Sequence, residues 1–407
     1  MKKTVIGRGE GRREGKRMEK IWVKPSDGAY SYEGRIDFED PQAPVFVYPC
    51  SHFKFRISGR FAALAAVNRH SYFENTLGVL VDGAYRGKIL LHDGERLQGE
   101  TLEQFSLRME PKEAGIIPQA VLTRGDNVRI YDLSAFLDGE EHELTIFKRL
   151  DACHYFTFLG MITQQGGIME WTKKPSDRRI EVYGDSISCG EVSEAVACCG
   201  SNDPEGHNGI YSNSFYSYPW ILARMLGASL HDVAQGGISL RDGEGYFDMP
   251  NTKGMLSCYD KIQNNPSLGE RKQWDFTKYV PQVVIVAIGQ NDAHPEDFMA
   301  KDYEGEKAQG WRRDYAGFLS ILRERYPKAL IVLSTTILGH DPAWDRAIGQ
   351  VCKELGDPKV VHFTYSKNGC GTSGHVRIPE AEQMAKEMKE FLDSFGNDVW
   401  KDESFVL

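Results

Sequence analysis

A change of hydrophobic period near residue 170 limits what this chain of 407 residues can fold into more than any other feature. Before that point, short runs alternate apolar and polar residues with period two. Val45-Phe46-Val47-Tyr48, Phe53-Lys54-Phe55-Arg56-Ile57, Leu77-Gly78-Val79-Leu80-Val81 and Lys88-Ile89-Leu90-Leu91 are examples, followed by Asn127-Val128-Arg129-Ile130-Tyr131 and Glu143-Leu144-Thr145-Ile146-Phe147. Short strands at this spacing, with turn signals such as Asp82-Gly83 between them, predict an antiparallel β-sandwich. After about residue 175, strand and helix patterns alternate. Strands are expected at Ile180–Tyr183, Ser229–Ala234, Val283–Ile288, Leu330–Ser334 and Val360–Phe363. The third is a continuous apolar run, as a strand buried on both faces requires. Tyr315, Phe318, Leu319, Leu322 and Tyr326 fall on one helical face, as do Trp344, Ile348, Val351 and Leu355. A last helix opens near Pro379 and aligns Ala381, Met384, Ala385, Met388 and Phe391. Such alternation implies a doubly wound parallel α/β sheet, which binds ligands at the carboxyl ends of its strands.

The chain therefore divides into a basic tail over 1–24, a sandwich over 25–165 and an α/β domain over 170–407. The tail, MKKTVIGRGEGRREGKRMEK at its start, has no apolar segment of the kind a secretory leader needs, and no apolar run is long enough to span a bilayer. A flexible solvated tail on a cytoplasmic protein is the expectation, with no membrane partner. A net charge of −9 argues against nucleic acid as the main partner. Eight cysteines without a paired framework fit reduced thiols. Cys198, Cys199 and His207 match no standard zinc spacing, so no metal is expected. Gly7-Arg8-Gly9 follows no strand and meets Arg12 where a third glycine is needed, so no nucleotide phosphate loop is expected either.

Four segments sit where a parallel sheet presents its rim. The first strand runs into Gly184-Asp185-Ser186-Ile187-Ser188, a sharp turn that puts a serine at the edge or merely caps a helix. Asp185 suits holding that turn better than moving a proton. The second ends in Gln235-Gly236-Gly237, which lets backbone approach a ligand or simply turns. The third ends in Gly289-Gln290-Asn291-Asp292, offering a side-chain amide or an Asx-turn. Gly371-Thr372-Ser373-Gly374-His375 lies between the last strand and the last helix. Jointly they supply a nucleophile, a base and donors for a developing oxyanion, the set that acyl-ester cleavage needs. His294, in His294-Pro295, reads as a loop feature.

These four blocks resemble the SGNH, or GDSL, hydrolase superfamily over about residues 175–395. The resemblance implies Ser186 as nucleophile and His375 as base, with the Ser186 and Gly237 amides and Asn291 as oxyanion hole. Gln235 stands where an Asn is usual. The sandwich in front, with Phe53–Phe61, the Val79–Gly83 hairpin and Gly184–Gly190, resembles carbohydrate esterase family 2. That likeness implies a jelly-roll followed by an SGNH domain, and removal of acetyl groups from xylan and related sugars without a cofactor. The substrate expected is an acetylated oligosaccharide. The alternatives are a short-chain acyl esterase or thioesterase, and a carbohydrate-binding protein with a decayed site. Superfamily members usually carry an Asp about three residues before the His; Thr372 and Ser373 occupy that stretch here. A Ser-His dyad is thus expected, with a remote acid as the alternative. Trp344, after the fourth strand, can stack on a sugar ring or fill its helix's apolar face. Whether the sandwich covers the site, binds sugar or joins copies into a homo-oligomer is left open by the sequence.

Overall fold

A computed structural model describes residues 20–92, 128–263 and 271–401. Asn127, the Gly7-Arg8-Gly9 segment and most of the tail expected over 1–24 lie outside the described residues. Lys20–Val23, assigned to that tail, instead form a strand paired antiparallel with His154–Gln164.

Two antiparallel sheets face each other in the amino-terminal half. One orders Ile36–Asp37, Val45–Phe46, His154–Gln164, Ala62–His70 and Val128–Asp132; the other orders Ile168–Met169, His52–Gly59, Gly139–Lys148, Thr76–Val81 and Ala84–Leu90. Period-two alternation explains the layer between them: Phe53, Phe55 and Ile57 point inward and are fully buried, while Lys54, Arg56 and Ser58 are only partly covered. Phe53 stacks on Phe158 across the layer at 4.1 Å, and within one sheet Phe46 stacks on its strand partner Phe156 at 4.8 Å. Asp82 and Gly83, at φ 52° and 79°, turn the chain from Thr76–Val81 into Ala84–Leu90, as an Asp-Gly hairpin should. Ala62–His70 and His154–Gln164, the two longest partners in their sheet, went unread in the sequence.

The carboxy-terminal half is a five-stranded parallel sheet ordered Ser229–Ala234, Arg179–Gly184, Val283–Ala287, Leu330–Ser334, Val360–His362. Helices cover both faces. Trp311, Phe318 and Leu322 of Glu306–Arg325, with Ile348 and Val351 of Ala343–Leu355, fill one side. Leu222 of Tyr218–Leu226, with Met384, Ala385 and Met388 of Ile378–Asp393, fill the other. The architecture is therefore an antiparallel sandwich followed by a doubly wound α/β layer. Among the described residues no helix is long and apolar enough to cross a membrane.

One buried cation ties the two halves together. Arg35, in the turn after Ser31–Glu33, is 0% exposed and reaches Glu181 on the first parallel strand at 3.0 Å. Its other nitrogen donates to the carbonyls of Tyr259 (2.6 Å) and Lys261 (3.1 Å). Glu181 also accepts from the hydroxyls of Tyr183 (2.7 Å) and Tyr326 (2.6 Å). Removing one member of such a pair strands a desolvated charge. Arg35→Ala is expected to lower stability by about 3–5 kcal/mol, read as the shift of the urea unfolding curve. A loss under about 1 kcal/mol would mean that water reaches the site and that this contact does not fasten the halves.

Candidate active site

The first parallel strand stops at Gly184, where a Cβ would come within 2.1 Å of Ser188 Oγ. Asp185 then caps a single helical turn, Ser186–Cys189, its Oδ1 accepting from Ile187 N at 3.0 Å. Ser186 is thereby fixed at the helix start, 5% exposed and lining a cavity of about 780 Å³. Its N–H, like that of Gly237, has no acceptor among the described residues, so both amides are free to donate into that space. Gly237 sits in the left-handed region at φ +71°, where a side chain would strain the turn.

Asp185 does hold the rim together. Its Oδ2 accepts from Gln290 Nε2 at 2.6 Å and from Asn291 Nδ2 at 3.2 Å, and Gln290 Oε1 accepts from Thr336 at 2.6 Å. The ends of the first, third and fourth strands are thus sewn into one row. Burial pushes the Asp185 carboxyl up to about 6. Asn291 lines the cavity, but its amide nitrogen already donates to Asp185 and to the Ile238 carbonyl (3.1 Å). Asp292, fully buried, accepts from Leu240 N (2.8 Å) and Trp311 Nε1 (2.7 Å), a structural anchor next to the site.

His375 lines the same cavity as Ser186. No hydrogen bond joins the Ser186 hydroxyl to the imidazole in this structure; such bonds commonly tighten only when substrate is bound. The imidazole is nevertheless held by an acid, and the expected dyad is corrected. Asp203, 172 residues earlier in the chain, receives His375 Nδ1 at 2.6 Å and its backbone N–H at 2.8 Å. Arg377, fully buried, donates to the same carboxylate at 2.8 Å and to the His375 carbonyl. Burial alone would raise Asp203; its bonds to His375 and Arg377 overcome that and hold it far below the usual carboxylate range. Nδ1–H pointing at Asp203 leaves Nε2 as the atom that can take a proton. Glu191, a second residue that sequence reading missed, lies 3.7 Å from Nε2.

The sandwich builds one wall. Ser71, Tyr72, Phe73 and Cys153 line the cavity together with Gly236, Gly237 and Tyr246. Asp151 joins the two halves there: it accepts from His154 (2.9 Å), Cys153 N (3.1 Å), the Tyr72 hydroxyl and Gln235 Nε2 (2.6 Å). Gln235, the departure from the usual Asn, therefore spends its amide on the sandwich. Trp344 does not reach the site. It is 0% exposed, bonded to Asp297 at 3.1 Å and packed on Phe298 and Trp311, so its helix's apolar face claims it. His294 stacks on Tyr246 at 4.1 Å in the neighbouring loop.

Residues 32–106 match the family model described as the carbohydrate esterase 2 N-terminal region. The cellulase/esterase CelE of Acetivibrio thermocellus is 27% identical over 368 residues, covering 88% of this chain and 38% of that protein. The acetylxylan esterase/glucomannan deacetylase of Cellvibrio japonicus is 28% identical over 262 residues, 63% of this chain and 68% of that one. The chain thus spans under two fifths of the length of the first of these relatives. Among solved structures, a family two carbohydrate esterase from Clostridium thermocellum in complex with cellohexaose superposes with TM-score 0.67 at 25% identity, covering 91% of this chain and all of that one. One from Cellvibrio japonicus shares the fold at TM-score 0.69 and 21% identity over 92% of this chain and 98% of that one. An antiparallel sandwich followed by a parallel α/β sheet agrees with these likenesses: the chain resembles the family 2 carbohydrate esterases of the SGNH/GDSL superfamily.

Proposed function

We propose that this chain is a serine esterase that removes O-acetyl groups from xylan-derived or related oligosaccharides through an acetyl-enzyme. The observation that carries the reading is the Asp203–His375 pair beside Ser186 at a helix start, within a cavity large enough for a sugar ester. In the first step the Ser186 Oγ–acetyl carbon bond forms as His375 Nε2 takes the hydroxyl proton. The oxyanion is held by the Ser186 and Gly237 amides, and by Asn291 once its amide leaves the Ile238 carbonyl. The imidazolium then gives its proton to the departing sugar oxygen, and the carbon–oxygen bond to sugar breaks. Water, deprotonated by the same nitrogen, attacks the acetyl-enzyme; acetate leaves and Ser186 regains its proton. Every step needs a neutral His375 at its start and a charged one at its midpoint.

The likeness to carbohydrate esterases supports the sugar ester as substrate. The intact Asp203, Arg377 and His375 arrangement favours turnover over a decayed binding site. The test is acetate release from acetylated xylo-oligosaccharide set against a simple acetyl ester and acetyl-CoA. Preferred release from the sugar, with an acetyl adduct trapped on the peptide carrying Ser186, is the expected result. Preference for acetyl-CoA would make the chain a thioesterase, and silence on all three would favour a binding protein.

A further inference from the structure

Glu191 is the acidic residue that the proposed reaction does not use and the cavity does not explain. It follows the Gly190 that ends the Ser186 turn, and its own N–H donates to the Ser186 carbonyl at 3.0 Å, so its position is fixed to that of the nucleophile. Its side chain is 21% exposed and lines the cavity. Among the described residues it receives no hydrogen bond, and its charge partner is His375 Nε2 at 3.7 Å. The carboxylate thus faces the one ring nitrogen that gains a proton during turnover, from the side opposite Asp203.

We propose that Glu191 is a positioning residue that holds the His375 imidazolium from its Nε2 side and so sets the lower pH boundary of the reaction. The inference rests on the serine-esterase reading above. Charge at that separation in a half-buried site interacts strongly, because little water intervenes. The carboxylates facing the pair add to one sign, while burial keeps the Tyr72 hydroxyl and the Cys189 thiol neutral beside them. Asp203 lies on Nδ1 and Asp185 beneath Ser186; Asp151, Tyr72 and Cys153 come from the sandwich wall, and Cys189 from the turn itself. Arg377 and His207 stand behind Asp203 and oppose them. For His375 burial pushes the imidazole down, but Glu191, Asp203 and Asp185 together outweigh it and raise it from the ordinary histidine value. A base so raised holds its proton to a higher pH than an unperturbed histidine does. In exchange the charged intermediate is stabilised at each midpoint.

The sign of the test follows. Glu191→Gln removes the negative charge and keeps the shape, so the acid limb of kcat/KM for a simple acetyl ester moves down by about one pH unit. Glu191→Asp keeps the charge and retains a limb closer to wild type. An acid limb in Glu191→Gln that coincides with wild type overturns the inference. A titration of the His375 imidazole by NMR in the wild-type chain needs no variant, and a value at or below the ordinary histidine range also overturns it. Loss of the esterase reading is separately visible, as wild-type protein without cleavage that depends on Ser186.

Discussion

Replacing Ser186 by alanine is expected to cut acetyl-ester turnover by about 10⁴–10⁶-fold, with binding of the ester little changed. One oxygen atom is removed from a side chain that makes no hydrogen bond among the described residues, so no partner is stranded and the fold is expected to hold within about 0.5 kcal/mol. The amides of Ser186 and Gly237 survive the change, and they account for whatever rate remains over water. Ser188, two residues further on, cannot take over: it is fully buried and donates to Tyr218 at 3.3 Å. Acetate release at saturating ester, with circular dichroism to check the fold, is the measurement. Activity within about tenfold of wild type would show that the nucleophile lies elsewhere.

Asp203→Asn carries the second large effect, a fall of about 10⁴-fold in kcat at neutral pH. The amide is nearly isosteric and its oxygen can still accept from Arg377 and from the His375 backbone. Its NH₂ group, however, would face Nδ1 and force the ring proton onto Nε2. His375 would then be oriented correctly in the wrong tautomer and unable to take the Ser186 proton. A merely structural role for Asp203 would show instead as a lowered unfolding temperature with kcat little altered. Retention of kcat within about tenfold would return the site to the dyad that the sequence suggested.

That difference shows where the sequence was legible. The four rim residues could be read because a parallel sheet fixes where its strands end: Ser186, Gly237 and Asn291 follow a strand by a few positions, and His375 lies in the Gly-rich loop between the last strand and the last helix. All four line the one cavity. Asp203 could not be found in that way. It lies in a segment of turns between the Ser186 helix and Tyr218–Leu226, and no periodicity links such a segment to a loop 172 residues later. The structure supplies the missing link through Arg377, whose fully buried guanidinium two residues after His375 requires an acid nearby. For Trp344 the sequence leaves two readings open, and its spacing with Ile348 and Val351 decides for the buried face. Ala62–His70 escaped because an alanine-rich run lacks the bulky alternation by which strands are recognised.

The hydrogen bond from Gln235 to Asp151 has a consequence for how such chains can diverge. One partner belongs to the parallel sheet and the other to the sandwich, so the halves are not interchangeable modules. A transplanted sandwich would bring a new wall to the cavity and, unless it carried Asp151, would take from the Gln235 amide its shortest hydrogen bond and leave it the Gly236 carbonyl at 3.2 Å. The loop that supplies Ser71, Tyr72 and Phe73 lies far in sequence from the Ser186 and His375 blocks, so it can drift without disturbing them. The cavity wall and the rim residues are thereby carried on separate stretches of the chain, and beside the cavity the buried Asp151 carboxylate couples them.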